Sequence, residues 1–98
     1  MNAYEQNFKV RITLYPSSAG GRNTPIQGNR FKCPCKFDAR DHTAWDCQIM
    51  LDGKTLAPGE TLLLEVQFLS PEIAPAFRSA KKFYLWEGRI IGEAAAIN

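Results

Sequence analysis

Nowhere among the 98 residues is there an apolar run of about 18 or more, the length a bilayer-crossing helix needs, so no membrane role is expected. The amino-terminal MNAYEQNFKV has neither the basic start nor the apolar stretch of a secretion signal, and a cytoplasmic location is expected from it. A formal net charge of +2 is far from the strongly basic footprint that would point to nucleic acid by itself. Charged residues make up 22% of the chain and are mixed in sign, too few for a disordered polyelectrolyte. The cysteines number three, an odd count in a chain without a signal, and are read as reduced thiols rather than a disulfide framework. Helical patterning is also scarce. Only EIAPAFRSA, residues 72–80, hints at a helix, and Pro75 limits it to a turn or so.

What is present is strand. Phe8, Val10, Ile12 and Leu14 alternate with Lys9, Arg11 and Thr13, the period-two signature of a half-buried strand. TLLLEVQFL (61–69) repeats it with Leu62, Leu64, Val66 and Phe68, after a turn at Ala57-Pro58-Gly59-Glu60. RFKCPCKF (30–37), AWDCQIM (44–50), KFYLWE (82–87) and RIIGEAAAI (89–97) supply four more strands, with turns at Asp52-Gly53 and Gly88. Six strands in a chain of single-domain size predict an all-β fold, a six-stranded antiparallel β-barrel spanning 1–98, since closure removes exposed edges.

One connector is unusually specified. GGRNTPIQGNR, residues 20–30, holds three of the seven glycines, one proline and two basic residues. Gly20 and Gly21 can take positive φ and Pro25 fixes a direction, so the loop is shaped rather than slack. Ordering it costs entropy that a short turn would avoid, which suggests either a recognition surface or a cover for one barrel mouth.

Together with APGETLLLEVQFLSPEIA and FYLWEGRIIGEAAAI, this segment resembles, in the same order, the carboxy-terminal domain of translation elongation factor Tu, here as a stand-alone barrel covering about Phe8 to Ile97. The resemblance implies a six-stranded antiparallel barrel that binds aminoacyl-tRNA along the T stem and docks on protein partners. Joined with the shaped loop, the basic residues and the aromatics nearby, it gives an expected RNA- or partner-binding set of Gly20, Gly21, Arg22, Thr24, Arg30, Tyr84, Glu87, Gly88 and Arg89. Within it, Arg22 matches the arginine of the family's GGR, and Glu87-Gly88 match the EG of its last hairpin. An arginine fork and a glycine turn are suited to phosphate oxygens and a close backbone. The chain departs from the pattern at Ser70, where a basic residue is common, at Tyr84 and Trp86, and in a hairpin one glycine shorter. Ser70 and the shorter hairpin weaken the RNA contacts; Tyr84 and Trp86 favour a protein partner. The expected function is therefore non-catalytic binding, either of structured, tRNA-like RNA or of a translation-related protein, with the chain acting as a regulator or antitoxin-like mimic in the second case.

Competing chemistries are weaker. Cys33, Cys35, His42 and Cys47 are four potential zinc donors, but the C-P-C spacing differs from the common knuckle, and the cysteines are read as small core residues with no metal or other cofactor expected. His42, the sole histidine, lies in the charged connector DARDHT and is read as a surface residue. Trp45 and Trp86 could stack bases or pack in the core, and Phe77 could form an apolar knob or plug a barrel end. Arg78, Lys81 and Lys82 could join a basic face or be solvated charges. No GxxxxGK[ST] phosphate loop is present. Titration calorimetry with GTP and magnesium is accordingly expected to give no stoichiometric binding heat; a saturable one-to-one isotherm would contradict this.

Overall fold

The computed structural model describes residues 7–97. Seven strands form one antiparallel sheet: β1 (Asn7–Leu14), β2 (Arg30–Lys32), β3 (Cys35–Lys36), β4 (Cys47–Met50), β5 (Thr61–Phe68), β6 (Phe83–Trp86) and β7 (Ile90–Ala96). Their order across the sheet is β2-β4-β5-β1-β7-β6-β3. The all-β reading holds, with two corrections. The strand expected over 30–37 is two short strands, because Pro34 has no N–H to continue a ladder. The sheet is also not a closed cylinder, since β2 and β3 stand at opposite ends of its order.

The central strands follow the sequence pattern. In β1, Phe8, Val10, Ile12 and Leu14 are buried, and the register with β5 pairs Val10 with Leu64 and Phe8 with Val66. Leu64, Val66 and Phe68 are buried too, while Leu62 is half-buried and packs against the same core. On the outer face, Thr13 and Thr61 hydroxyls share a 2.8 Å hydrogen bond, and Leu63 is exposed.

A short helix, α1 (Ala74–Ser79), follows a 3₁₀ turn over Pro71–Ile73. Pro75 stands in its first turn, where its missing N–H costs nothing, so the proline starts the helix as much as it limits it. Ala74 and Phe77 point inward. The Phe77 ring stacks on Phe37 at 3.9 Å and on Phe68 at 4.3 Å, and meets Phe83 edge-on at 5.1 Å. Phe77 is thus a fully buried plug, not a surface knob. It closes the end of the barrel at which β5 finishes.

The opposite end is covered by the 15–29 connector. Ile26 is buried and exchanges backbone bonds with Leu56, and Gly21 packs so tightly that a Cβ there would collide with the Tyr15 carbonyl. Nearby, Asp52 and Gly53 both take positive φ and Lys54 N–H donates to the Leu51 carbonyl, the paired left-handed turn that the Asp-Gly dipeptide favours. Phe77→Ala is expected to lower unfolding free energy by about 3–5 kcal/mol, read as a shifted urea midpoint; a loss under about 1 kcal/mol would show that the aromatic stack is not the centre of the core.

Candidate functional site

Loop 20–24 and the β6–β7 turn meet at the mouth where β1 ends, because Tyr15 N–H donates to the Ile91 carbonyl and sets the two segments side by side. Most of the sequence-derived set assembles there. Arg22 Nη1 donates to both carboxylate oxygens of Glu87, at 2.8 and 2.7 Å. Arg22 Nε donates to the Thr24 carbonyl and Nη2 to its hydroxyl, each at 3.2 Å. The guanidinium also lies over the Phe31 ring, 5.1 Å from its centroid. From the other side, Arg89 Nε donates to the Gly20 carbonyl at 2.8 Å and Nη2 to that of Gly21 at 3.2 Å. Gly88, at φ 76°, makes the turn that lets Glu87 N–H reach the Arg89 carbonyl. Two arginines therefore lace the connector to the hairpin in both directions.

The electrostatics differ from the expectation of an arginine offered to phosphate. Arg22 keeps only 20% of its side-chain surface and its charge is matched by Glu87, at 45%. A partly exposed pair of this kind stabilises by on the order of 1 kcal/mol or less, but several bonds fix its geometry. Arg89 is satisfied by carbonyl oxygens, which leave its charge intact.

Two residues of the set stand outside this hydrogen-bonded cluster. Arg30, on β2, is exposed and reaches Gln48 Oε1 at 3.4 Å. Tyr84 is on the outer face of β6, half-buried, opposite Lys36 on one side and Glu93 on the other. Glu93 accepts from the Tyr15 hydroxyl at 2.9 Å and pairs with Lys82 at 3.4 Å, so Lys82 is spent on an ion pair. Trp86 shares that face and carries the Lys36 ammonium 4.7 Å above its ring, while Lys36 Nζ donates to the Asp41 carbonyl. Phe31 was not singled out by the sequence, although the alternation of RFKC already put it on the inward row with Cys33. A separate depression of about 340 Å³, lined by Lys9, Met50, Asp52, Lys54, Leu63 and Glu65, shares no residue with the cluster.

Cys33, Cys35 and Cys47 are all buried, as core thiols would be. His42 is exposed, and among the described residues no group of three or more His, Cys, Asp or Glu side chains is placed to hold a metal ion. Burial pushes the Cys33 thiol up to about 12 from its ordinary 9.0. Cys35 is raised well above its usual range by its hydrogen bond with the Cys47 thiol and by burial. No family model and no curated protein matches the chain.

Because folding holds Cys33 protonated, its contribution to stability is complete below about pH 9 and is lost as pH rises from there towards 12. Unfolding free energy is expected to fall over that window, less steeply in Cys33→Ala, with Cys35 contributing to whatever slope remains. In native protein at pH 8 the thiols should resist an aromatic disulfide reagent that titrates all three in guanidinium; prompt native reaction would contradict their burial.

Proposed function

We propose that this chain is a non-catalytic recognition module of the cytoplasm, which engages a protein of the translation machinery through the mouth formed by Gly20, Gly21, Arg22, Thr24, Glu87, Gly88 and Arg89. The observation that carries the reading is the Arg22–Glu87 pair, held by Thr24 and Phe31. It makes the mouth rigid and neutralises the charge of Arg22, which suits a protein surface better than a phosphate backbone. Preorganisation lowers the ordering cost of binding, and half-buried Tyr84 and Trp86 offer aromatic area at the margin. The link to translation rests on the likeness of three segments to the elongation factor Tu carboxy-terminal domain, with which a barrel-like all-β fold agrees.

A second reading, recognition of a tRNA-like stem, is favoured by the uncompensated charge of Arg89 and by exposed Arg30 and Lys32 nearby.

Capture from a cell lysate, with and without nuclease, followed by titration of labelled tRNA, separates the two. With a protein partner, capture survives nuclease, and both Arg22→Ala and Glu87→Gln weaken it by about tenfold, as loss of a preorganised anchoring pair would. With RNA, capture is nuclease-sensitive, and Glu87→Gln releases Arg22, tightening tRNA binding and steepening its salt slope by about one. Capture indifferent to both substitutions, in folded protein, would put the binding face elsewhere.

A further inference from the structure

The residues from Asn29 to Lys36 pair on two sides, and the parity of their bonds shows which groups face where. Leu51 N–H donates to the Asn29 carbonyl, Cys33 N–H to the Cys47 carbonyl, and Cys35 and Trp45 exchange bonds. Odd-numbered residues therefore direct their backbone groups at β4 and its extension. Even-numbered residues direct theirs the other way, where Trp86 N–H donates to the Pro34 carbonyl and Lys36 pairs with Tyr84. In register, the next partner of Lys32 would be Gly88. Instead the chain turns back at Gly88 into β7, and β2 is left with β4 as its single neighbour. The N–H and carbonyl groups of Arg30 and Lys32 face away from β4 with no backbone partner among the described residues, and both residues are exposed.

We propose that this open edge of β2 accepts an extended, acidic segment of a protein partner as an added antiparallel or parallel strand, beside the mouth formed by Arg22 and Glu87. The inference rests on the reading of the chain as a protein-recognition module and names the form of the partner. Strand addition uses main-chain bonds for affinity and alternate side chains for selection. Here the side chains flanking the open bonds are Arg30 and Lys32, whereas Arg40, also exposed, is already paired with Asp38. Carboxylates at alternate positions of an incoming strand would meet Arg30 and Lys32 directly. The same two cations oppose pairing between two copies of this edge, which is how proteins keep an exposed edge from aggregating. They thus exclude self-association and select an acidic strand by one mechanism.

Lys32→Pro is the informative variant, because the N–H it removes faces away from β4 and the ladder to β4 uses Phe31 and Cys33. The partner captured from lysate should bind Lys32→Pro about tenfold more weakly than Lys32→Ala, which removes the charge and keeps the donor. Independently of any captured partner, an acetylated octapeptide alternating glutamate and valine should protect the Arg30 and Lys32 amides from hydrogen exchange in ¹⁵N-labelled native protein, and Arg30→Glu/Lys32→Glu should abolish that protection. If Arg22→Ala weakens capture while Lys32→Pro equals Lys32→Ala and the two amides stay unprotected, the edge proposal is overturned and the recognition module stands. If capture responds to neither Arg22→Ala nor Lys32→Pro, both readings fall.

Discussion

Residues 30–36 can form hydrogen bonds along two edges, and Pro34 lacks the N–H that the edge facing β6 would use. That one missing donor shapes the rest of the sheet. On the β4 side the ladder runs on through Cys33 and Cys35, whose backbone bonds to Cys47 and Trp45 do not involve Pro34. On the other side Pro34 can only accept, which it does from Trp86. The segment serves as the last strand of the order at one end and, a few residues on, as the last strand at the other. A barrel-like wall results without a closed set of ladders, and its seam falls between β2 and the β6–β7 turn.

The candidate site is a consequence of that seam. The 15–29 connector crosses the mouth and inserts Ile26 into the core, so it does cover the barrel. Its glycine-rich first part is then fastened to the hairpin by Arg22 and Arg89, in bonds that run in opposite directions across the same gap. Covering and presenting are therefore not alternatives for this loop. Burial of Ile26 anchors the segment, and anchoring fixes the polar groups that remain at the surface.

Packing at the far end shows how local chemistry and tertiary contact divide the work. Pro75 and the preceding Pro71 make a short helical connection sterically easy, but six residues of helix would not persist alone in water. What holds α1 is Phe77, stacked between Phe37 and Phe68 and met by the edge of Phe83. Those four rings come from four separate parts of the chain. The buried cysteines follow the same logic, filling small volumes where β2, β3 and β4 converge, and burial holds the Cys33 thiol neutral.

Much of this was legible in the residues alone. Alternation fixed the inward row of β1 and β5, since a one-residue slip would turn Val10 and Leu64 to solvent. Asp52-Gly53 and Gly88 marked their turns because positive φ is costly for most other residues. Arg22 and the Glu87-Gly88 turn were singled out by resemblance, not by periodicity, and their meeting at one mouth is a product of the fold. What the linear pattern could not contain was partnership. That Arg22 would spend its charge on Glu87, 65 positions away, depends on where two loops land, and nothing in GGR or EGR encodes it. The seven-strand count and the open β2 edge likewise follow from which side of residues 30–36 each neighbour approaches. Propensity and alternation are properties of neighbours in sequence; ion pairing and edge exposure are properties of neighbours in space, and only the folded sheet brings those together.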